Sequence, residues 1–302
     1  MKASKIVLYA MLMVSLLIPY IAVGYAADKP RYLGVSEGQE VIWKTEFDKG
    51  PLEDYFEDIG LSELVAEQNA DTFFSWFDWD DDVEAWKIYV EDIRDEKESD
   101  WDSITNRLDD EDDVKHVKIL VNMYETEDLS DAEAWDDFDK LESYTIYEAE
   151  EIVYAEIALS GLQDILGTGL FAFVVPKNLK WNKVVNEIDD WLDDNNLEDM
   201  RAVDDVEVNY FFQDKGVGIK TNRESTTAGV EDFDSESRYT DDGILYYYEY
   251  EYDGDTIAKY ELSIVGQSLV YTIENWWWIT LIVVAAIVGV IIIIIVIIKK
   301  RK

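Results

Sequence analysis

Ile244 to Val265 reads ILYYYEYEYDGDTIAKYELSIV, and the reading of this stretch decides the fold class. Ile244, Tyr246, Tyr248, Tyr250 and Tyr252 recur at every second position, the period of a strand that buries one face. A tyrosine row of this kind is a packed sheet face more often than a ligand platform. Asp253 and Gly254 then supply a two-residue turn whose residues tolerate positive φ and fit the twist of a hairpin. Ile257 to Val265 returns as the partner strand. Upstream, Val206, Val208, Tyr210 and Phe212 alternate, Gln213 to Gly216 turns, and Val217 to Thr221 follows. The C-terminal third is therefore predicted to be an antiparallel meander.

Ahead of the meander the period changes. Trp181, Val184, Val185, Ile188, Trp191 and Leu192 form one apolar stripe at helical spacing, which predicts a helix over Lys180 to Asp194. Four aspartates on its other face crowd the C-terminus and oppose the helix dipole, so tertiary packing must hold it. Leu52, Tyr55, Phe56 and Ile59 predict a second helix, and Gly60 interrupts it before Leu61, Leu64 and Val65 add about one turn. Asp100 is placed to cap a third, with Trp101, Ile104 and Leu108 on one side. Ser130 and Glu133 have the spacing of a capping box for a fourth, which would bury Trp135, Phe138 and Leu141. Strands are expected at Gln39 to Phe47 and Val114 to Tyr124. Tyr144 to Leu159 and Leu170 to Val175 also read as strands, the latter stopped by Pro176. The expected class is α+β, with amphipathic helices packed on an antiparallel sheet.

The two ends predict a membrane topology. Lys2 and Lys5 precede an apolar run from Ile6 to Ile18, then Pro19 and small residues, the layout of a signal peptide over residues 1–26. An uncleaved anchor over Ile6 to Ala27 is the rival, and Pro19 argues against it. From Trp276 to Ile298 there is no charged residue. At about 1.5 Å per residue this segment covers roughly 34 Å, enough to cross a bilayer core. Trp276, Trp277 and Trp278 suit the headgroup layer on one side, and Lys299, Lys300, Arg301 and Lys302 suit the cytoplasmic side. Residues 27–275 would then form an external domain, joined to the span through Gly266 to Asn275.

Residues 28–275 carry all 67 acids and 20 of the 26 cations, a net charge of −47. This excludes nucleic acid, whose binding needs a basic footprint, and it disfavours anionic headgroups. What it attracts is cations or a basic protein surface. Disorder does not follow, because 48% of the chain is hydrophobic and 14% aromatic, ample material for a core. Cysteine is absent, so there is no disulfide, thiolate metal site or cysteine nucleophile.

Several motifs for catalysis are missing: no His-Glu-x-x-His, Walker loop or Gly-x-Gly-x-x-Gly occurs. The sole histidine, His116, lies opposite Val117, Ile119, Val121 and Met123 on its strand and is expected to be exposed. No cofactor is expected. Asp78, Asp80 and Asp82 match the first three ligands of a Ca²⁺ loop, but Val83 replaces the required glycine and Tyr89 the required glutamate. They remain weak candidates for Ca²⁺. Trp76, Phe77, Trp79 and Trp86 beside these acids allow a glycan-binding or glycan-hydrolysing site with paired carboxylates. An open cleft with two carboxyls flanked by exposed tryptophan would favour that alternative, and rings buried in a closed core would not.

The run Gly34-Val35-Ser36-Glu37-Gly38-Gln39-Glu40 before Trp43, the run Asp242 to Tyr247, the hairpin and the Ile-rich terminal segment together resemble archaeal single-pass cell-surface proteins. The resemblance covers the whole layout and implies a location, but no activity. Neither Leu-Pro-x-Thr-Gly nor Pro-Gly-Phe precedes the span, so the anchor is expected to be retained. The sequence thus predicts a membrane-anchored surface protein with a structural or binding ectodomain and no catalysis.

Overall fold

The computed structural model describes residues 30–99, 113–130, 135–148, 150–161, 172–195 and 208–267. One unit, Arg31–Gly266, contains nearly all of them. The expected signal segment, the Asp100 helix and residues 276–302 lie outside the described residues. Among the described residues no helix is long and apolar enough to cross a membrane.

The fold is α+β, a large antiparallel sheet with four helices among the described residues. In chain order it comprises β1 (Gln39–Phe47), α1 (Gly50–Asp58), α2 (Glu63–Phe77), β2 (Ala85–Ile93), β3 (Lys97–Ser99), β4 (Val114–Thr126) and β5 (Asp136–Tyr147). There follow α3 (Glu151–Gly161), α4 (Trp181–Asn195), β6 (Val208–Asp214), β7 (Gly218–Ser225), β8 (Phe233–Tyr239), β9 (Leu245–Tyr252) and β10 (Asp255–Gln267). The ladder runs β3-β4-β2-β1-β10-β9-β8-β7-β6, with β5 also paired to β4. Ile119 of β4 pairs with both Ile93 and Tyr144, so β2 and β5 take opposite edges of that strand.

The meander forms as its period predicts. Tyr248, Tyr250 and Tyr252 are buried, while Glu249 and Glu251 alternate with them on the outer face. Asp253 (φ 52°) and Gly254 (φ 82°) make the turn, and Tyr252 pairs with Asp255 across it. One irregularity shifts the row: Arg238 pairs with Tyr247 but Tyr239 with Leu245, so Tyr246 bulges and Leu245 is buried in its place. The α4 stripe is also as expected, with Trp181, Val184, Val185, Ile188 and Leu192 buried and Trp181 stacked on Tyr239 at 5.1 Å.

β1 joins the N-terminal half to β10, and Asp48 N donates to Ile257 O at 2.9 Å. The rings meet behind that seam. Phe173 lies 4.9 Å from Trp43, 6.0 Å from Trp86 and 5.7 Å from Tyr260. Such tilted and edge-on contacts add to area burial by about 0.5–1.5 kcal/mol per pair. A second cluster under α1 holds Tyr55, Phe233, Tyr250 and Tyr252 around Arg223, which is 2% exposed. The Arg223 guanidinium lies 5.2 Å over the Phe233 ring and donates to Tyr55 Oη at 3.4 Å. An arginine with aromatic partners had no signal in the sequence beyond its place in an alternating strand.

Three expectations are corrected here. Instead of a capping-box helix, Asp136–Tyr147 is strand β5. Ser130 turns back, its hydroxyl and amide donating to Asp128 Oδ1 at 2.6 and 2.9 Å, and the free edge of the 13-residue β4 recruits the following segment. Tyr144 to Leu159 is not one strand, because β5 ends at Tyr147 and α3 begins at Glu151. Its Val153, Tyr154, Ala155, Ala158 and Leu159 are buried, and a short apolar run does not by itself separate strand from helix. Leu170 to Val175 does not form a strand over its described part: Val174 makes only an isolated bridge to Ile244. In the aromatic stretch, Trp76 and Phe77 close α2, Trp79 lies just beyond it and Trp86 stands in strand β2.

Candidate functional site

The β9–β10 hairpin carries Asp253 and Asp255 to the end of the sheet where α1 lies. Asp54, Glu57 and Asp58 fall at i, i+3 and i+4 on α1, hence on one face, while Leu52, Tyr55 and Phe56 turn inward. These five carboxylates line a cleft of about 220 Å³ with Pro51 and Tyr252. No basic side chain lines it. Tyr252 is its buried wall: its hydroxyl donates to Asp58 Oδ2 at 2.6 Å and accepts from Glu231 N at 3.0 Å. Burial first, then the Asp58 carboxylate, push that phenol far above its usual range, so it stays a neutral donor. Below, the Tyr55 ring packs 5.5 Å from Tyr252 and bonds Arg223, fixing α1 to the sheet.

More acids crowd the same end of the sheet. Burial, helped by Asp48, Asp80 and Asp82, holds Asp81 above its ordinary value against the lowering effect of Lys49. Glu125 is raised by burial and then by Asp80, Asp136 and Asp78. Lys49 is bound to Asp71 at 2.6 Å.

The weak Ca²⁺ candidates sit in this loop. Asp78 caps α2 in the left-handed region (φ 53°), and Asp80 Oδ1 accepts from Asp82 N at 3.0 Å. All three are exposed, and among the described residues no group of three or more His, Cys, Asp or Glu is arranged to hold a metal ion. The membrane-interface candidates Trp276, Trp277, Trp278, Lys299, Lys300, Arg301 and Lys302 lie outside the described residues.

The aromatic platform is core. Trp79 and Trp86 are 5% exposed, and Trp79 Nε1 donates to Tyr260 Oη at 2.8 Å; of the four rings only Trp76, at 57%, faces solvent. A pair of opposed carboxylates does occur elsewhere, in the outer-face row Lys220–Glu236–Glu249–Lys259 across β7 to β10. Each is engaged: Arg238 Nε donates to Glu236 at 2.5 Å, and the Tyr247 hydroxyl donates to Glu249. These lie on an alternating sheet face with no tryptophan beside them in the row.

His116 overturns its expected exposure. It points away from Val117, Ile119 and Val121 as the alternation requires, yet it is 7% exposed, because β3 and β5 flank it. Its Nδ1 lies 3.1 Å from Ser99 Oγ, and its ring 5.8 Å from that of Tyr147. Burial and then Lys118 lower its pKa.

The shifts give the domain an unusual pH response. Glu53, Asp81, Glu125, Asp189 and Glu251 are all raised, with burial the first cause and neighbouring acids among the others. A carboxyl raised in the folded state binds protons more readily there than in the unfolded chain. Stability is therefore gained as pH falls through the folded values toward the unfolded ones near about 4. His116 opposes this. Its lowered pKa gives stability that is present above about 6.5 and lost as pH falls below it. With five groups against one, the melting temperature is expected to rise between pH 7.5 and 5 at fixed ionic strength, and more so in His116→Gln. A fall over that range in both proteins would refute the assignment.

No protein-family model matches the chain, and neither a curated protein nor a solved structure matches it.

Proposed function

We propose that the chain is a single-pass, membrane-anchored cell-surface protein whose acidic ectodomain binds a basic protein surface and catalyses nothing. A signal segment at 1–26, a span at 276–298 and the cytoplasmic tail Lys299 to Lys302 make up the anchor part of this reading. The observation that carries the binding part is the cleft: five carboxylates from two elements face one space whose lining has no basic group. Its size suits one lysine or arginine side chain, and a diffuse acidic lining favours such a side chain over a chelated ion. Ion pairs formed there are exposed and screened by salt, so they supply rate and selectivity more than affinity.

The test uses the full-length chain in lipid nanodiscs with an octalysine peptide as probe. Binding is expected at 50 mM NaCl and should weaken at least tenfold at 300 mM. Asp54→Asn combined with Glu57→Gln and Asp58→Asn should weaken it several-fold more than Glu98→Gln combined with Glu148→Gln and Glu150→Gln, which removes the same charge at a distance from the cleft. Equal effects from the two sets would show general electrostatic attraction and no site.

A further inference from the structure

The end of the sheet opposite the cleft has a different surface. β10 starts beside the cleft at Asp255 and runs 13 residues to Gln267, about 40 Å at strand rise. Its pairing with β9 ends at Glu261↔Tyr247. Beyond that point Ile264 and Val265 are 51% and 47% exposed. Consecutive strand residues point to opposite faces, so exposure of both means that the strand end has packing on neither side. The β6–β7 turn lies at the same end, since Tyr239 N donates to Val217 O at 2.7 Å, and Val217 is also exposed.

Several cations gather at this end. Arg94 N donates to Lys118 O, Lys97 and Lys115 lie on the paired ends of β3 and β4, Lys177 is bound to Asp242 at 2.6 Å, and Lys215 closes the β6–β7 turn. These six cations share the end at which β10 finishes with interleaved acids, among them Asp92, Asp95, Glu96, Glu98, Asp113 and Asp214, whereas no basic side chain lines the cleft. Only the eight residues 268–275 separate Gln267 from Trp276, a reach of at most about 28 Å.

We propose that this end of the sheet docks on the bilayer surface, with Ile264, Val265 and Val217 entering the headgroup layer. The proposal rests on the reading of 276–298 as a span. A second copy of the chain is a poorer occupant, because two domains of the same large negative charge repel.

The chain has no cysteine, so single labels have no background. Ile264→Cys, Val265→Cys, Val217→Cys and, at the hairpin tip, Asp253→Cys would each be labelled with an environment-sensitive fluorophore. The full-length chain would then be reconstituted into phosphatidylcholine vesicles. With doxyl-labelled lipid, emission at 264, 265 and 217 should be quenched at least twofold and emission at 253 left unchanged. If the chain floats with the vesicles and resists carbonate but all four labels respond alike, the docking proposal is overturned and the anchor stands. If the chain does not float with the vesicles, the anchor reading fails and the docking proposal falls with it. Label-dependent crosslinking of two chains through 264 or 265 would assign the patch to a second copy instead.

Discussion

Trp43→Ala should remove most of the stability of the fold. Trp43 is wholly buried at the centre of β1, pairs with Trp86 of β2, and packs its ring 4.9 Å from Phe173. Its Nε1 donates to Leu245 O at 2.7 Å, a bond between residues 202 positions apart that ties the first strand to the ninth. Deleting a core tryptophan costs about 3–5 kcal/mol, and the carbonyl left unpaired adds about 1–3 kcal/mol. Domains of this kind are stable by only about 5–15 kcal/mol. Trp43→Phe retains much of the apolar surface and loses mainly the donor, so it should cost about 1–3 kcal/mol. Urea unfolding followed by far-ultraviolet circular dichroism separates the two. A Trp43→Ala midpoint shift equal to that of Trp43→Phe would show that the cavity collapses and that the ring contributes little.

The meander and α4 were legible because their burial repeats with one period over many residues, and because Asp253-Gly254 is a turn whose chemistry is local. Where burial and period part, the sequence misleads. β5 forms because β4 has a second edge to satisfy, a fact about topology that neither Ser130 nor Glu133 records. α3 packs nearly every side chain from Val153 to Leu159, so its apolar run has little periodicity to distinguish it from a buried strand. His116 obeys the alternation of its strand and is buried all the same, since the outer face there is covered by neighbours from β3 and β5.

The cleft was illegible for a different reason. Asp54, Glu57 and Asp58 have helical spacing, but with 67 acids in the chain such triplets are common and carry little information. They become a site only when a hairpin about 200 residues later adds Asp253 and Asp255. The acidic tryptophan stretch stands out in the sequence because its residue types are dense; in the fold its rings go inward and its aspartates outward, and the density has no common face. The expectation drawn from composition, attraction for cations and no affinity for nucleic acid, depends on total charge and needs no placement.

Gly243→Ala should be nearly as disruptive as loss of Trp43, although it adds one methyl group. Gly243 sits at φ +73°, a left-handed conformation that costs an L-residue about 1–2 kcal/mol. An added Cβ would stand 2.0 Å from Val175 O, a backbone atom that cannot swing aside. That approach is fixed by Val175 N donating to Gly243 O at 2.8 Å and Leu245 N donating to Phe173 O at 2.9 Å, the pair of bonds that seats the Phe173 ring among Trp43, Trp86 and Tyr260. Relieving the clash means breaking these bonds, at about 1 kcal/mol or more each, and withdrawing Phe173 from the core. A total of about 4 kcal/mol or more follows from the strain, the broken bonds and the lost ring burial together. Gly254 provides the control: it has a similar φ of +82° in the hairpin, but a methyl group there would meet nothing within 4 Å, so Gly254→Ala should cost only the backbone strain of about 1–2 kcal/mol. Thermal unfolding of the two variants side by side decides the matter. Equal losses would mean that strain alone governs both positions and that the Val175 segment yields, whereas a Gly243→Ala loss at least twice that of Gly254→Ala would establish the close approach as what holds the Phe173 segment against the sheet.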